Sequence, residues 1–385
     1  MKKNWFLSLM GDEKRQKITI PILAVLLSLL AGSLVFLILG RNPLTAYASF
    51  LQGSGLLPKG SYGGKQNMLT DFMSFLNAWT PMLLASLAVA VAMRSGLFNI
   101  GVSGQMLFSG LIATVTIGYS PLPAAIAKPL VVVICALSGA LIASLIGLLK
   151  HKWNISEVVS SIMLNYIVQY GASFCIKRFF LNPASRQSNP VTAASRLSLK
   201  GVEIAGLKMD IPLGIVLAIL AVFATKYLFD KMKLGFEFQA IGANPRAAKY
   251  AGMNVGRNLV ITMALSGFLA GLAGGTYFLG YFDSMPPNSL TSTGFDAVAV
   301  CVLGNSSPIG ILLSSFFITA IDKGSTYMMS TVGVRQEIGS LIKGLILLFS
   351  ACGAYFSYLL RRSRQKAGEA ESAGKANGGK EVERV

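Results

Sequence analysis

The feature that most constrains the fold is a series of apolar stretches, each long enough to cross a lipid bilayer. Hydrophobic residues make up 53% of the 385-residue chain and charged residues only 13%, which is about half the charged fraction of a typical soluble domain. A helix needs about 20 mostly apolar residues to span the hydrocarbon core of a membrane. The sequence therefore predicts an all-α, polytopic membrane protein and not a soluble enzyme.

The apolar stretches also predict where the chain crosses the membrane. The first span, residues 18–40, follows a basic N-terminal segment (1–17) and is too long for the apolar core of a signal peptide. Residues 294–321 form either one crossing or two short ones broken at Gly304–Pro308. The other predicted spans lie at about 75–93, 97–118, 124–149, 156–177, 212–229, 258–281 and 338–359.

The basic flanks favour one of the two alternatives. Lys and Arg concentrate in cytoplasmic segments of membrane proteins, and both the N-terminus and the cluster Arg361–Arg364 are basic. Only an even number of crossings places both inside, so we expect about ten segments, some of them short or broken. The long loops at about 41–74 and 178–211 then lie outside, although the second is itself basic. Residues 361–385 lack apolar anchors and are typical of a disordered cytoplasmic tail.

Charge and cysteine patterns argue against several classes of function. The net charge of +18 comes from loops and tails, as anionic lipid favours, and no aromatic-plus-basic module for nucleic acid accompanies it. The four cysteines show no C-x-x-C spacing, and His151, the only histidine, has no visible partner for catalysis. We therefore expect no metal site and no catalytic residue.

One near-match to an ATP-binding motif occurs in the tail. Gly374–Glu381 approaches the phosphate-binding loop G-x-x-x-x-G-K-[ST], but Glu381 replaces the hydroxyl residue that would bind Mg²⁺. A helix cannot follow the motif so close to the C-terminus. We expect the chain to have no ATPase site of its own.

A polar segment, Gly235–Gly256, separates two apolar spans and contains the signals of a short helix. Asn244 is a good N-cap, Pro245 suits the first turn, and Gly252 can end the helix in the left-handed conformation. A helix of about seven residues is unstable alone, so either a partner protein holds it or it is a folded connecting loop. We expect the side chains of Arg246, Lys249 and Tyr250 to project from this helix. Ala247, Ala248 and Ala251 should leave a small, flat face on it.

A few polar side chains fall inside predicted spans, namely Asn99, Ser103, Gln105 and Asn165. They have two interpretations. Together with small residues such as Gly101 and Gly104, they can join helices through close approach and hydrogen bonds. Alternatively, they line a polar route through the protein. The residues alone favour neither interpretation.

Three motifs together resemble one family of transport proteins. They are G-L-F-N-I-G-x-x-G-Q at 96–105, E-V-V-x-x-I-M-L-N-Y at 157–166 and A-I-G-A-N-P-R-A-A-K-Y-A-G at 240–252. The sequence resembles the permease subunits of bacterial ABC importers that serve branched-chain amino acids, simple sugars and nucleosides, and most of all the longer permease of the nucleoside branch. The resemblance covers residues 18–360. Ser103 departs from it, since many relatives carry Glu there.

The resemblance implies a Type II-like importer in the bacterial cytoplasmic membrane, with both termini cytoplasmic. Residues 18–360 would be the permease domain, and the loop 230–257 would couple it to ATPases. The implied partners are a second, shorter permease, two cytoplasmic ATPase subunits or a fused ATPase, and a substrate-binding lipoprotein. ATP and Mg²⁺ would bind to the ATPases, with no cofactor in this chain. The implied coupling residues are Gly242, Asn244, Pro245, Arg246, Ala247, Ala248, Tyr250 and Gly252.

Several alternatives for the cargo and the mechanism remain open at this point. The same machine could carry a simple sugar or a branched-chain amino acid instead of a nucleoside. A stand-alone secondary transporter would use intramembrane ionisable residues for a coupling ion, and the predicted spans contain few. A membrane-embedded enzyme would need a catalytic set, which the sequence does not offer.

Overall fold

The computed structural model describes residues 13–204 and 206–352, which are mainly helical. They divide into two compact units, one formed by residues 13–40 with 341–352 and the other by the described residues of 41–340. The first unit contains α1 (Glu13–Ile38) and most of α13 (Glu337–Ala351). The predicted tail, its near-match to a phosphate loop and the end of the last predicted span lie outside the described residues.

The second unit holds the other helices and a two-stranded antiparallel sheet, β1 (Ser198–Ile204) with β2 (Leu207–Pro212). A single π-helical turn extends α4, α6 and α10 at Thr114–Gly118, Ile176–Phe180 and Tyr277–Tyr281. The helices are α2 (Pro43–Gly53), α3 (Met68–Arg94), α4 (Val102–Ala113), α5 (Ala124–Trp153), α6 (Glu157–Cys175), α7 (Gly214–Lys231), α8 (Lys233–Ala243), α9 (Pro245–Tyr250), α10 (Val255–Thr276), α11 (Thr293–Leu303) and α12 (Pro308–Val332).

The central element of this unit is α3, which is buried along most of its length. It is apolar on all sides, as expected of a helix that contacts neighbours all round. It begins seven residues before the predicted span because of a capping box. The Asn67 side chain accepts a hydrogen bond from the Thr70 N–H, and the Thr70 hydroxyl accepts one from the Asn67 N–H.

The helices α5 and α10 pack closely against each other through glycines. A methyl group added at Gly271 would overlap the carbonyl oxygen of Cys135 and lie 3.1 Å from the Cα of Gly139. Gly267 lies one turn away on α10 and approaches Gly139 in the same manner. Such backbone contact is possible only where both helices present small residues.

Two short helices, α4 and α11, meet inside the unit by their first turns. The Ser103 hydroxyl in α4 donates to the Thr291 carbonyl just before α11 at 2.9 Å, and a methyl group at Gly294 would overlap Ser103. The eleven residues of α11 span about 16 Å at 1.5 Å per residue, roughly half of the 30 Å hydrocarbon core. Each helix is therefore too short to cross the core alone, and each is preceded by a non-helical segment, 95–101 or 282–292.

The ambiguous stretch 294–321 is broken into two helices, as we favoured. α11 ends at Leu303 and α12 begins at Pro308, with Asn305 and Ser306 in the left-handed region at φ of 52° and 50°. The expectation that both pieces are short is wrong for the second, because α12 has 25 residues.

The count of about ten spans is not confirmed by helix length and hydropathy. Among the residues that the structure describes, four helical segments are long and apolar enough to cross a membrane, or five if α1 and α2 together make one broken span. Several predicted spans fail this criterion for physical reasons: α4 and α11 are short, and α12 carries Asp322 and Lys323. The four segments are Met68–Arg94, Ala124–Trp153, Glu157–Phe180 and Val255–Tyr281.

The all-α prediction is wrong for residues 198–212, where β1 and β2 form a hairpin. β2 has apolar residues at every second position, Leu207, Met209 and Ile211, but a register shift between Leu199 and Val202 interrupts this period in β1. The strand signal is therefore weak in a loop with many charges. The structure also accounts for part of that loop's basic charge. Arg196 and Lys200 both form ion pairs with Asp283, at 3.1 and 3.4 Å.

The glycine contact between α5 and α10 predicts a position-specific effect of a single methyl group. Gly271→Ala should destabilise the protein by about 1–3 kcal/mol, since the helices must separate to accommodate the new atom. The matched control is Gly171→Ala in α6, where an added methyl group meets nothing within 4 Å. It should be neutral or stabilising by up to about 1 kcal/mol, because alanine favours helix. Thermal unfolding midpoints in detergent would measure both, and equal midpoints would contradict the packing.

Candidate coupling site and buried polar cluster

The second unit has two ends, which α3 connects. At the start of α3, the Asn77 side-chain amide donates to the Asp210 carbonyl in β2 at 3.1 Å. We call this the hairpin end. Beyond the last residue of α3, Gly96 packs against Gly242 in α8, which leads directly into α9. We call this the α9 end. The predicted coupling residues all lie at the α9 end.

The short helix predicted in the polar segment is confirmed, with both of its ends. The Asn244 side chain accepts hydrogen bonds from the Arg246 and Ala247 N–H groups at 3.0 and 3.1 Å. Pro245 occupies the first helical position, and Gly252 is left-handed at φ 83°. The helix has six residues, so these caps satisfy backbone groups that so short a helix would otherwise leave unpaired.

The side chains of α9 divide between an inner and an outer side. Ala248 is buried in its own chain at 4% exposure, whereas Ala247 and Ala251 are exposed and Tyr250 is 95% exposed. The predicted flat face of three alanines is therefore wrong for Ala248, which points inward. The outer side presents Arg246, Ala247, Lys249 and Tyr250, which are exposed and not covered by the described residues.

A joint of two glycines and an arginine connects this region to the rest of the unit. Gly96 is left-handed at φ 73°, and a methyl group there would lie 3.2 Å from the Cα of Gly242. The Arg94 guanidinium lies over the Phe229 ring of α7, 4.7 Å from its centroid. Its Nε donates to the Ser306 carbonyl at 3.0 Å, in the break between α11 and α12. The α9 end thus ties α3, α7, α8 and this break together.

The four polar residues inside predicted spans form a buried cluster. The Asn99 side chain exchanges two hydrogen bonds with Gln105, both 3.1 Å, and its amide also donates to the Ser266 hydroxyl of α10 at 2.8 Å. The Asn165 amide group of α6 accepts from the Gly104 N–H at 3.0 Å and donates to the Ile100 carbonyl at 3.1 Å. Ser103 binds the Thr291 carbonyl, as described above.

Side chains of this cluster form hydrogen bonds with backbone groups of a non-helical segment, in place of the backbone hydrogen bonds of a helix. Residues 97–101 are not helical, and a backbone without partners in a bilayer costs several kcal/mol per group. Asn99 also accepts from the Gly101 N–H at 2.9 Å, so it and Asn165 satisfy three backbone groups here. The geometry favours the helix-joining interpretation for this conformation, and a role in lining a route stays a prediction.

Sequence reasoning missed the partners that complete these arrangements. Ser266 and Thr291 contact the cluster from more than 160 residues away, and Ser306 receives Arg94 from a similar distance. No local signal marks them. Within residues 13–204 and 206–352, no group of three His, Cys, Asp or Glu is placed to hold a metal ion.

Comparison with known proteins identifies the family. Residues 72–351 match the family described as branched-chain amino acid transport system, permease component. The chain belongs to this family. It is a multi-pass membrane permease, and three relatives show which branch it resembles.

Two relatives align along nearly their whole length. The permease is 31% identical over 368 residues to the nucleoside ABC transporter permease protein NupB of Lactococcus lactis, covering 93% of this chain and 98% of NupB. It is 32% identical over 349 residues to the guanosine ABC transporter permease protein NupP of Bacillus subtilis, covering 90% and 97%. A second Lactococcus nucleoside ABC transporter permease protein, NupC, matches less well, at 26% identity over 61% of this chain and 75% of NupC.

The capped geometry of α9 predicts a local effect of removing its N-cap. Asn244→Ala should destabilise α9 by about 1 kcal/mol, because two backbone N–H groups lose their acceptor. The matched control is Asn254→Ala, since Asn254 caps α10 at the Arg257 N–H. Hydrogen exchange should quicken about fivefold at residues 246–250 in the first variant and at the start of α10 in the second. Unchanged exchange at 246–250 in Asn244→Ala would contradict the cap.

Proposed function

We propose that this permease is one of two membrane subunits of an ATP-driven importer for nucleosides. The observation that carries this proposal is the similarity to NupB and NupP, which extends over at least 90% of this chain and 97% of each relative. The weaker match to NupC supports a second, different permease as the partner. Two ATPase subunits or a fused ATPase and a substrate-binding lipoprotein would complete the importer.

We place the α9 end in the cytoplasm and propose ten crossings. The arrangement of α4 and α11 supports this count. Each short helix joins a non-helical segment, 95–101 or 282–292, to make one passage through the unit. α10 and α12 then cross in the same direction, with the passage 282–303 returning between them. Together with α1, α3, α5, α6, α7 and α13, these passages number ten and leave both termini on one side.

The coupling contact is the outer side of α9. It presents a fully exposed aromatic ring, two basic side chains and a small residue on a helix whose ends are fixed by caps. A groove in a cytoplasmic ATPase would cover this side. Movement of α9 would reach α3, α7 and the α11–α12 break through Gly242 and Arg94, as a rigid-body shift of packed elements.

The chemistry of the described membrane segments suits a neutral cargo. The buried polar cluster consists of amide and hydroxyl groups without a fixed charge. A nucleoside offers hydroxyls, ring nitrogens and carbonyls, which such groups can bind. An amino-acid zwitterion would call for a carboxylate and a cation near each other. This argument favours nucleosides over branched-chain amino acids but does not separate nucleosides from sugars.

Uptake by the assembled importer tests the cargo. Cells that lack other nucleoside transport and express this chain with its partner subunits should take up labelled guanosine or uridine. Unlabelled nucleosides in tenfold excess should reduce that uptake by about tenfold, and ribose, glucose or leucine should not. Uptake of a sugar or leucine with no uptake of any nucleoside would contradict the proposal.

The division of the α9 side chains predicts different failures for two neighbouring alanines. Ala247→Trp should reduce uptake and ATPase co-purification at least tenfold while leaving the thermal midpoint unchanged, because Ala247 is exposed. Ala248→Trp should lower the midpoint itself by several degrees, since overpacking a buried site costs about 1–3 kcal/mol. Normal co-purification and uptake with Ala247→Trp would contradict docking at this side.

A further inference from the structure

A polar cleft opens at the hairpin end, opposite to the proposed coupling site. It has a volume of about 420 Å³, which falls within the roughly 300–1,000 Å³ of small-molecule sites. Three separate segments enclose it: the chain before α3, the first turns of α3, and β2. The side chains that matter for its chemistry are Lys65, Gln66, Asp71, Ser74, Lys208 and Asp210.

Contacts between distant segments hold the walls of this cleft in place. Asp71 forms an ion pair with Lys59 at 2.7 Å, both about four-fifths buried. The Ser74 hydroxyl accepts a hydrogen bond from the Lys323 ammonium of α12 at 3.0 Å. The β2 strand is tied to the preceding loop, because the Lys208 N–H donates to the Lys65 carbonyl at 3.1 Å. A cleft built in this way needs little ordering when a ligand binds.

Some polar groups in the cleft remain available for a ligand. One carboxylate oxygen of Asp210 accepts from the Gly201 N–H at 2.8 Å, and its other oxygen has no partner among the described residues. Within the part of the chain that the structure describes, the Lys208 ammonium and the Gln66 amide have no hydrogen-bond or ion-pair partner. The cleft therefore offers a charged acceptor, a charged donor and an amide that can do both.

The balance of these groups indicates the class of ligand. Two carboxylates and two ammonium groups line the cleft, so it has no net charge to attract an ion. No aromatic ring is among the described lining residues, so the site suits a hydroxyl-bearing ring better than a flat base. A carboxylate accepts from two adjacent hydroxyls, and an ammonium or amide donates to them. These properties match a neutral ligand with a vicinal diol.

We propose that this cleft is an outer binding site for the ribose diol of an incoming nucleoside, with Asp210 and Lys208 as its principal ligand-binding residues. The inference rests on the proposed function, which makes the cargo a nucleoside and the hairpin end the outer end. It adds a specificity that the family assignment does not contain. The permease itself would discriminate ribonucleosides from nucleosides that lack the 2′ and 3′ hydroxyls.

The test compares two cargoes in the complete importer reconstituted in proteoliposomes with its lipoprotein. Initial uptake rates would be measured for uridine and 2′,3′-dideoxyuridine with the wild type, Asp210→Asn and Lys208→Gln. Asparagine keeps the acceptor for Gly201 but removes the charge. Each variant should raise the KM for uridine roughly five- to tenfold, as for a weakened charge-assisted hydrogen bond. The KM for dideoxyuridine should change less than twofold, so that the preference for the ribonucleoside falls.

Asp283→Asn is the control variant, because it removes a carboxylate at the hairpin end but outside the cleft. Asp283 pairs with Arg196 and Lys200 outside the cleft, and its loss should leave the KM for both cargoes unchanged. Lys208→Gln provides the independent test if Asp210→Asn does not assemble, since the Lys208 side chain is exposed and its ammonium has no partner among the described residues.

Two results would overturn the inference while the proposed function stands. One is a normal preference for uridine in both cleft variants. The other is an equal rise in KM for both cargoes that disappears at saturating lipoprotein, which would make the cleft a docking surface for that protein. Absence of nucleoside transport by the wild-type complex would instead refute the proposed function and the inference with it.

Discussion

The backbone contact between α5 and α10 is the constraint on which the rest of the unit depends. At Gly139, Gly267 and Gly271 the two helices approach without side chains between them. In a bilayer, lipid is as apolar as the helices, so close packing rather than water exclusion holds them together. This contact fixes the position of α10. That helix contributes Ser266 to the buried cluster. Its capped start follows directly after α9 in the chain.

A second constraint arises because the chain is not helical throughout its passages. The non-helical segments 97–101 and 282–292 must find partners for their backbone groups inside the protein. Asn99, Ser103 and Asn165 supply several of those partners, which explains why amides and a hydroxyl occur in otherwise apolar segments. The break at 304–307 follows the same logic, since the Ser306 carbonyl receives the Arg94 guanidinium. The polar residues therefore stabilise the irregular conformation, whatever contact they make with cargo.

Features that depend on interactions between residues close in sequence could be predicted, whereas features that depend on contacts between distant segments could not. The start and end of α9 depend on Asn244, Pro245 and Gly252 and could be predicted from those residues alone. The break after Leu303 was likewise marked by Gly304 and Pro308.

The hairpin 198–212 was missed, because strand pairing is a contact between segments and the apolar alternation is masked by charges. The early start of α3 was overlooked although its capping box at Asn67 and Thr70 is local. The inward orientation of Ala248, the Arg94 joint and the partners Ser266 and Thr291 depend on the packed fold, which residue spacing does not determine.

The central claim is that ATP hydrolysis by partner subunits drives nucleoside import through this permease. The most direct measurement is nucleoside accumulation in proteoliposomes that contain the complete importer, with ATP supplied on the ATPase side. The wild-type complex should concentrate the nucleoside at least tenfold above the external level. A complex whose ATPases bind ATP but cannot hydrolyse it should not exceed equilibration. Accumulation above the external level by the hydrolysis-deficient complex, driven by an imposed ion gradient, would contradict the account.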